Sequence, residues 1–169
     1  MLYVPPISDY KSFYIQFSTG NAIDIKNTYS VVVKTHDYPS EMKVKEPYKN
    51  QWKDEHGDDE YIGTAGLYAE AFTFRMECVM FANGNTARAD LEAGVTAFEQ
   101  ALRSGGLFKT YDAWTEYGFK DVRLSEFPKV GEKDFYKWTD GVRVIFSVVL
   151  KVNDPITHMV LSNNQIVEG

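Results

Sequence analysis

The densest group of possible ligands is the run Asp54-Glu55-His56-Gly57-Asp58-Asp59-Glu60, with five carboxylates and one imidazole in seven positions. Oxygen-rich side chains of this kind suit a hard cation such as calcium. The known calcium loop needs ligands at alternate positions and glycine at its sixth, and this run has neither. It reads as a solvated acidic turn about Gly57. Just upstream, Lys43, Lys45, Lys49 and Lys53 interleave with Tyr48 and Trp52. Cations beside aromatic rings can hold single-stranded nucleic acid by charge and stacking. Here the acidic run cancels that field within a few residues. The whole chain carries a formal charge of −6 and a pI of about 5.1, so no specific binding to a phosphate backbone is expected. Trp and Tyr are enriched at protein interfaces. The segment is therefore expected to touch protein, through Lys45, Tyr48, Lys49, Trp52, Asp54, His56 and Asp58.

The remaining chemistry-bearing residues do not assemble into a known pattern. His36, His56, His158 and Cys78 lack the spacing of zinc ligands, and Cys78 falls on the apolar side of a predicted strand, as a buried inert thiol would. Neither Gly-x-Ser-x-Gly nor Ser-x-x-Lys occurs. There is no phosphate loop or dinucleotide fingerprint. Asn83-Gly84-Asn85 precedes a helix and could cradle an anion, but Asn-Gly is first a turn former. The expectation is a protein with no catalytic residue, no cofactor and no metal.

The elements that must position these residues are mostly strands. Val142 to Val152 alternates with period two: Val142, Val144, Phe146, Val148, Leu150 and Val152 share one face. Asp140-Gly141 is a hairpin signal before it, with a partner expected over 133–138. A second long strand is predicted over 68–82, with Phe72, Phe74, Met76, Cys78 and Met80 inward. Shorter strands are predicted over 12–17, 29–34, 107–111 and 121–126, and a last edge strand over 157–161. One helix is predicted over 86–104, with Leu91, Val95, Phe98 and Leu102 as its apolar stripe and Arg88, Glu92 and Glu99 exposed. Asn85 or Thr86 would cap its start, and Gly105-Gly106 would stop it in a left-handed conformation. Residues 35–62 show no period and are expected to form one long functional loop.

Composition is that of an ordinary globular chain, with 169 residues, 44% apolar and 25% charged. That length suits one domain, 1–169. One cysteine excludes an internal disulfide, no apolar run reaches membrane-spanning length, and the first residues show no signal-peptide pattern. Strands without helical crossovers argue against a parallel sheet. The expected fold is mainly β (α+β): an antiparallel β-sandwich or barrel with one packed α-helix.

Lys45-Glu46-Pro47-Tyr48-Lys49-Asn50-Gln51-Trp52-Lys53-Asp54-Glu55-His56-Gly57 follows the strand ending Val31-Val32-Val33-Lys34. It resembles the proline, spacer, tryptophan, acidic-glycine loop of bacteriophage tail proteins. The strand with Phe72 and Phe74, the single helix, Gly105-Gly106-Leu107-Phe108, Val122-Arg123-Leu124 and the final strand keep the same order. Most of the chain is similar to the amino-terminal ring domain of distal tail proteins and to the tail-tube fold, of the type found in prophages of gut Bacteroidetes. The resemblance implies a non-enzymatic virion subunit made in the bacterial cytoplasm. Its partners would be copies of itself in a ring and other tail proteins, with no membrane contact. DNA could pass through the ring without specific binding. Two departures, a short amino-terminal segment and no second carbohydrate-binding-like domain within these residues, leave hub, tube and terminator roles open. The rival classes are a small-molecule or glycan-binding β-barrel, which needs a central apolar pocket, and a hydrolase using the acidic run, which needs a carboxylate of raised pKa in a cleft.

Overall fold

The computed structural model describes residues 1–5, 11–50, 59–62, 66–127, 133–138 and 141–169. In chain order the elements are β1 (Leu2–Tyr3), β2 (Phe13–Gln16), β3 (Ile23–Asp24), α1 (Ile25–Tyr29), β4 (Val32–Asp37), β5 (Tyr48–Asn50), β6 (Asp59–Tyr61), β7 (Phe72–Ala82), α2 (Ala87–Ser104), β8 (Phe108–Asp112), β9 (Gly118–Glu126), β10 (Asp134–Trp138), β11 (Gly141–Asp154), β12 (Met159–Ser162) and β13 (Gln165–Glu168). The fold is mainly β, and every strand pairing is antiparallel.

Period-two alternation builds the centre. β7 and β11 pair along their length, from Val142 opposite Ala82 to Val152 opposite Phe72. That register puts Phe74, Met76, Cys78 and Met80 on the same face as Val144, Phe146, Val148 and Leu150, and all eight are buried. The main sheet runs β1-β7-β11-β9-β8-β2-β3, with β4 beside β7 and β10 beside β11, and it curls. β10 and β11 form the expected hairpin, while the turn residues 139–140 lie outside the described residues. Among the described residues, β12 and β13 pair only with each other. The last strand is thus half of a separate hairpin rather than an edge of the main sheet. It packs over β8 and β9, where Gly118 lies so close to the Met159 carbonyl that a Cβ would collide with backbone.

α2 crosses the inner face. Leu91, Val95, Phe98 and Leu102 are fully buried, as their spacing predicts, and Phe98 meets Phe146 at 6.4 Å between ring centroids. Arg88 and Glu92 are exposed, but Glu99 is half-buried. Each fully buried side chain of this size contributes about 1.5–3 kcal/mol. The start differs from expectation: the Thr86 side chain makes no capping bond and its hydroxyl donates to Asp90 instead. The end follows it: Gly105-Gly106 stops the helix, with Gly105 right-handed and Gly106 left-handed at φ +62°.

Two further differences follow from local chemistry. Residues 25–29 form α1, so Tyr29 is helical and the next strand starts at Val32 rather than Tyr29. The Asp24 carboxylate caps this helix by accepting from the Lys26 amide at 2.9 Å, and Ser30 closes it at φ 58°. The strand predicted over 68–82 begins at Phe72, because Ala69 bridges to Val44 instead of joining the main sheet.

Candidate functional site

The expected long loop over 35–62 is partly strand. β4 extends to Asp37 and pairs with β7 from Val32 opposite Val79 to Asp37 opposite Arg75. The described residues among 38–71 are therefore an arm that leaves the end of β4 and returns to the start of β7. The arm keeps the antiparallel pattern. Val44 bridges Ala69, the Lys45 amide donates to the Tyr68 carbonyl at 2.7 Å, and the Glu70 amide donates to the Lys43 carbonyl at 2.8 Å. Farther out, Tyr48 faces Tyr61, Lys49 faces Glu60 and Asn50 faces Asp59 in the β5–β6 ladder. The ladder pairs the backbone groups of these residues with one another.

The expected interface residues divide accordingly. Lys45 is exposed on the arm, and Tyr48 and Lys49 belong to β5. Trp52, Asp54, His56 and Asp58 lie outside the described residues. Beside the exposed charges of Glu41, Lys43, Lys45 and Glu46, the described part of the arm exposes large apolar side chains: Met42, Val44, Ile62, Leu67 and Tyr68 are 63%, 46%, 51%, 52% and 61% exposed.

The base of the arm is anchored by groups that the sequence pattern did not bring together. Tyr38 packs its ring on Phe74 at 4.8 Å and meets Tyr117 edge-on at 5.4 Å. Its hydroxyl donates to Asp112 Oδ2 at 3.2 Å. Asp112, 1% exposed, also accepts from the Trp114 amide at 2.8 Å and the Thr115 hydroxyl at 2.7 Å. Burial first, and the Asp112 charge second, push the Tyr38 hydroxyl far above its ordinary pKa, so it stays a proton donor. His36 stacks on Tyr38 at 5.4 Å and on Phe13 at 5.9 Å. Its Nε2 lies 3.3 Å from Asp112 Oδ2 yet is buried with no hydrogen bond. Burial lowers its pKa, and the Asp112 charge opposes that only in part. Asp112 is occupied by the turn and by Tyr38. The cluster serves to fix where the arm leaves the sheet. Beside it, a cleft of about 450 Å³ is lined by Lys11, Lys34, Thr35 and Trp114 among others. Its lysines are engaged: Lys34 pairs with Glu77 at 2.9 Å and Lys11 lies 4.8 Å over the Trp114 ring.

The other sequence candidates separate. Cys78 is fully buried, and desolvation pushes its thiol well above the ordinary value. Among the described residues, no three His, Cys, Asp or Glu side chains are grouped to hold a metal ion. Gly84, at φ +86°, forms the plain turn into α2. Among the described residues, no helix is long and apolar enough to cross a membrane. The part of the base legible in sequence was Asp112-Ala113-Trp114-Thr115, an Asp followed three positions on by Thr, the pattern of a side-chain-closed turn. Its partner Tyr38 is 74 positions away, beyond any local signal. No protein-family model matches the chain, and no curated protein matches it.

Proposed function

We propose that this chain is a structural subunit of a phage or prophage tail, assembling into a ring or tube of the distal-tail or tail-tube kind. The observation that carries the reading is the arm: a strand-paired extension with five exposed large apolar side chains, anchored at its base by Tyr38 and Asp112. An isolated chain gains nothing by exposing them, whereas a neighbouring copy or another tail protein would bury them. The mainly-β fold with a packed helix, and the element order, agree with the resemblance. A heterologous contact, arm of one copy on the body of the next, closes into a ring when the rotation permits. The competing reading, a barrel that binds a small molecule or glycan, needs the inner face of the sheet. The apolar stripe of α2 occupies that face.

The test compares wild type, Trp52→Ala and a deletion of residues 49–60, alone and with the neighbouring tail proteins. Sedimentation velocity and negative-stain microscopy score assembly, and thermal melting scores the fold. The expectation is rings or tubes from wild type, loss in the deletion, and unchanged melting in both variants. Normal assembly of the deletion variant would make a sheet edge the joint instead.

A further inference from the structure

The outer face of the sheet carries a charge arrangement that stability does not explain. Lys151 in β11 stands directly opposite Arg123 in β9, with Thr73 of β7 on its other side. Like charges directly opposite one another on neighbouring strands repel. Among the described residues neither cation has an ion-pair partner; the Arg123 guanidinium donates only to the Leu124 carbonyl, at 3.0 Å. Both line a groove of about 490 Å³ at the base of the arm, with Lys43 on the arm side and the hydroxyls of Thr73 and Ser125 on the sheet side. Glu41 and Glu70 stand on the arm wall and leave the groove with one positive charge in excess. On a chain of net charge −6, that excess is a local reversal of sign.

We infer that this groove receives the acidic run of residues 54–60 from a second copy of the chain. The inference rests on the assembly reading above and supplies its contact. Charge complementarity selects the occupant. The run brings five carboxylates in seven positions, while the groove offers one guanidinium, two ammonium groups and two hydroxyls against its own Glu41 and Glu70. A guanidinium can take a carboxylate through two parallel bonds, and each ammonium can take another. A volume near 490 Å³ falls within the ~300–1,000 Å³ of ordinary binding sites, enough for a few side chains. The Arg123–Lys151 repulsion, only partly offset in the free chain by Glu41 and Glu70 of the same groove, is relieved further when carboxylates from the neighbour enter.

The test uses the full chain and a synthetic peptide of residues 50–62. Binding of the peptide is measured by fluorescence anisotropy at low and high salt, against wild type and the Arg123→Glu/Lys151→Glu variant. Expected are salt-sensitive binding to wild type and a loss of about tenfold or more in the variant. A second arm mixes that variant with one carrying Asp54→Lys, Asp58→Lys and Asp59→Lys, which leaves Glu55 and Glu60 against three lysines and so reverses the sign of the run. Each alone should assemble poorly, and the mixture should recover, because every contact then joins opposite charges. Recovery only when both changes sit in one chain would place the acidic run in its own groove and overturn the inference. So would equal peptide binding by wild type and variant, no peptide binding, or a DNA duplex that binds the groove and is not displaced by peptide. If the inference fails while wild type still forms rings, the assembly reading survives. If peptide binds but no ring or tube forms with the tail proteins, the assembly reading fails and the groove stands.

Discussion

The two faces of the β7–β11–β9 sheet share one backbone and carry different loads. The inner face presents Phe74, Met76, Phe146, Val148 and Leu150 to the main core, and all five are buried. The outer face, one residue out of phase, holds a small apolar cluster of Val79, Phe81 and Ile145 with Val32 at one end and presents Thr73, Arg75, Arg123, Ser147 and Lys151 at the other. A strand can satisfy both demands because its side chains alternate. The inner face holds the fold together. The outer face tolerates a repulsive Lys151–Arg123 pair, and a feature that stability disfavours is where a contact with another molecule should be sought.

The sharpest way to break this comparison is to disrupt the inner face. Phe98→Ala should cost about 3–5 kcal/mol in urea unfolding. Leu102→Asp, which buries an unpaired charge, should leave no cooperative transition. A near-neutral result for either would mean that α2 does not carry the core.

The arm base lies between the two extremes. Asp112→Ala strands the buried Tyr38 hydroxyl and should cost about 1–3 kcal/mol. It should also speed amide exchange at Lys45 and Glu70, whose bonds hold the arm ladder. Tyr38→Phe removes one hydrogen bond and should cost less, about 0.5–1.5 kcal/mol.

His36 gives a smaller, pH-dependent effect. Its pKa in the fold lies below the ordinary 6.5 because it is buried. The unfolded chain therefore takes up the proton first, and stability falls as pH drops below 6.5 toward the folded value. His36→Phe, which keeps the stack between Phe13 and Tyr38, should flatten that part of the stability–pH profile measured by urea titration.

The smallest change has the opposite sign. Lys151→Glu replaces repulsion with attraction across β9 and should raise stability of the free chain by about 0.2–1 kcal/mol. The same substitution should weaken assembly. A variant that is more stable and less able to assemble would separate the two faces cleanly, whereas a loss of stability would show that Lys151 has an intramolecular role.

What the sequence determined by itself was everything with a local period. The inward residues of β7 and β11, the stripe of α2, and the hairpin pairing of β10 with β11 follow from spacings of two and of three to four. Turn and cap chemistry was legible to within a residue or two, with the left-handed position at Gly106 of the expected Gly105-Gly106 pair. Short ladders escaped. The three pairs of β5 with β6 and the single Val44–Ala69 bridge lie within polar sequence and are too short to impose a pattern. Only the tertiary structure decided the rest: Tyr38 meets Asp112 across 74 residues, and Arg123 meets Lys151 across the β9–β11 register. The physical reason is the same for both. Side-chain alternation says which face a residue occupies, but strand order and register choose its neighbour, and they are set by how the whole sheet closes over α2.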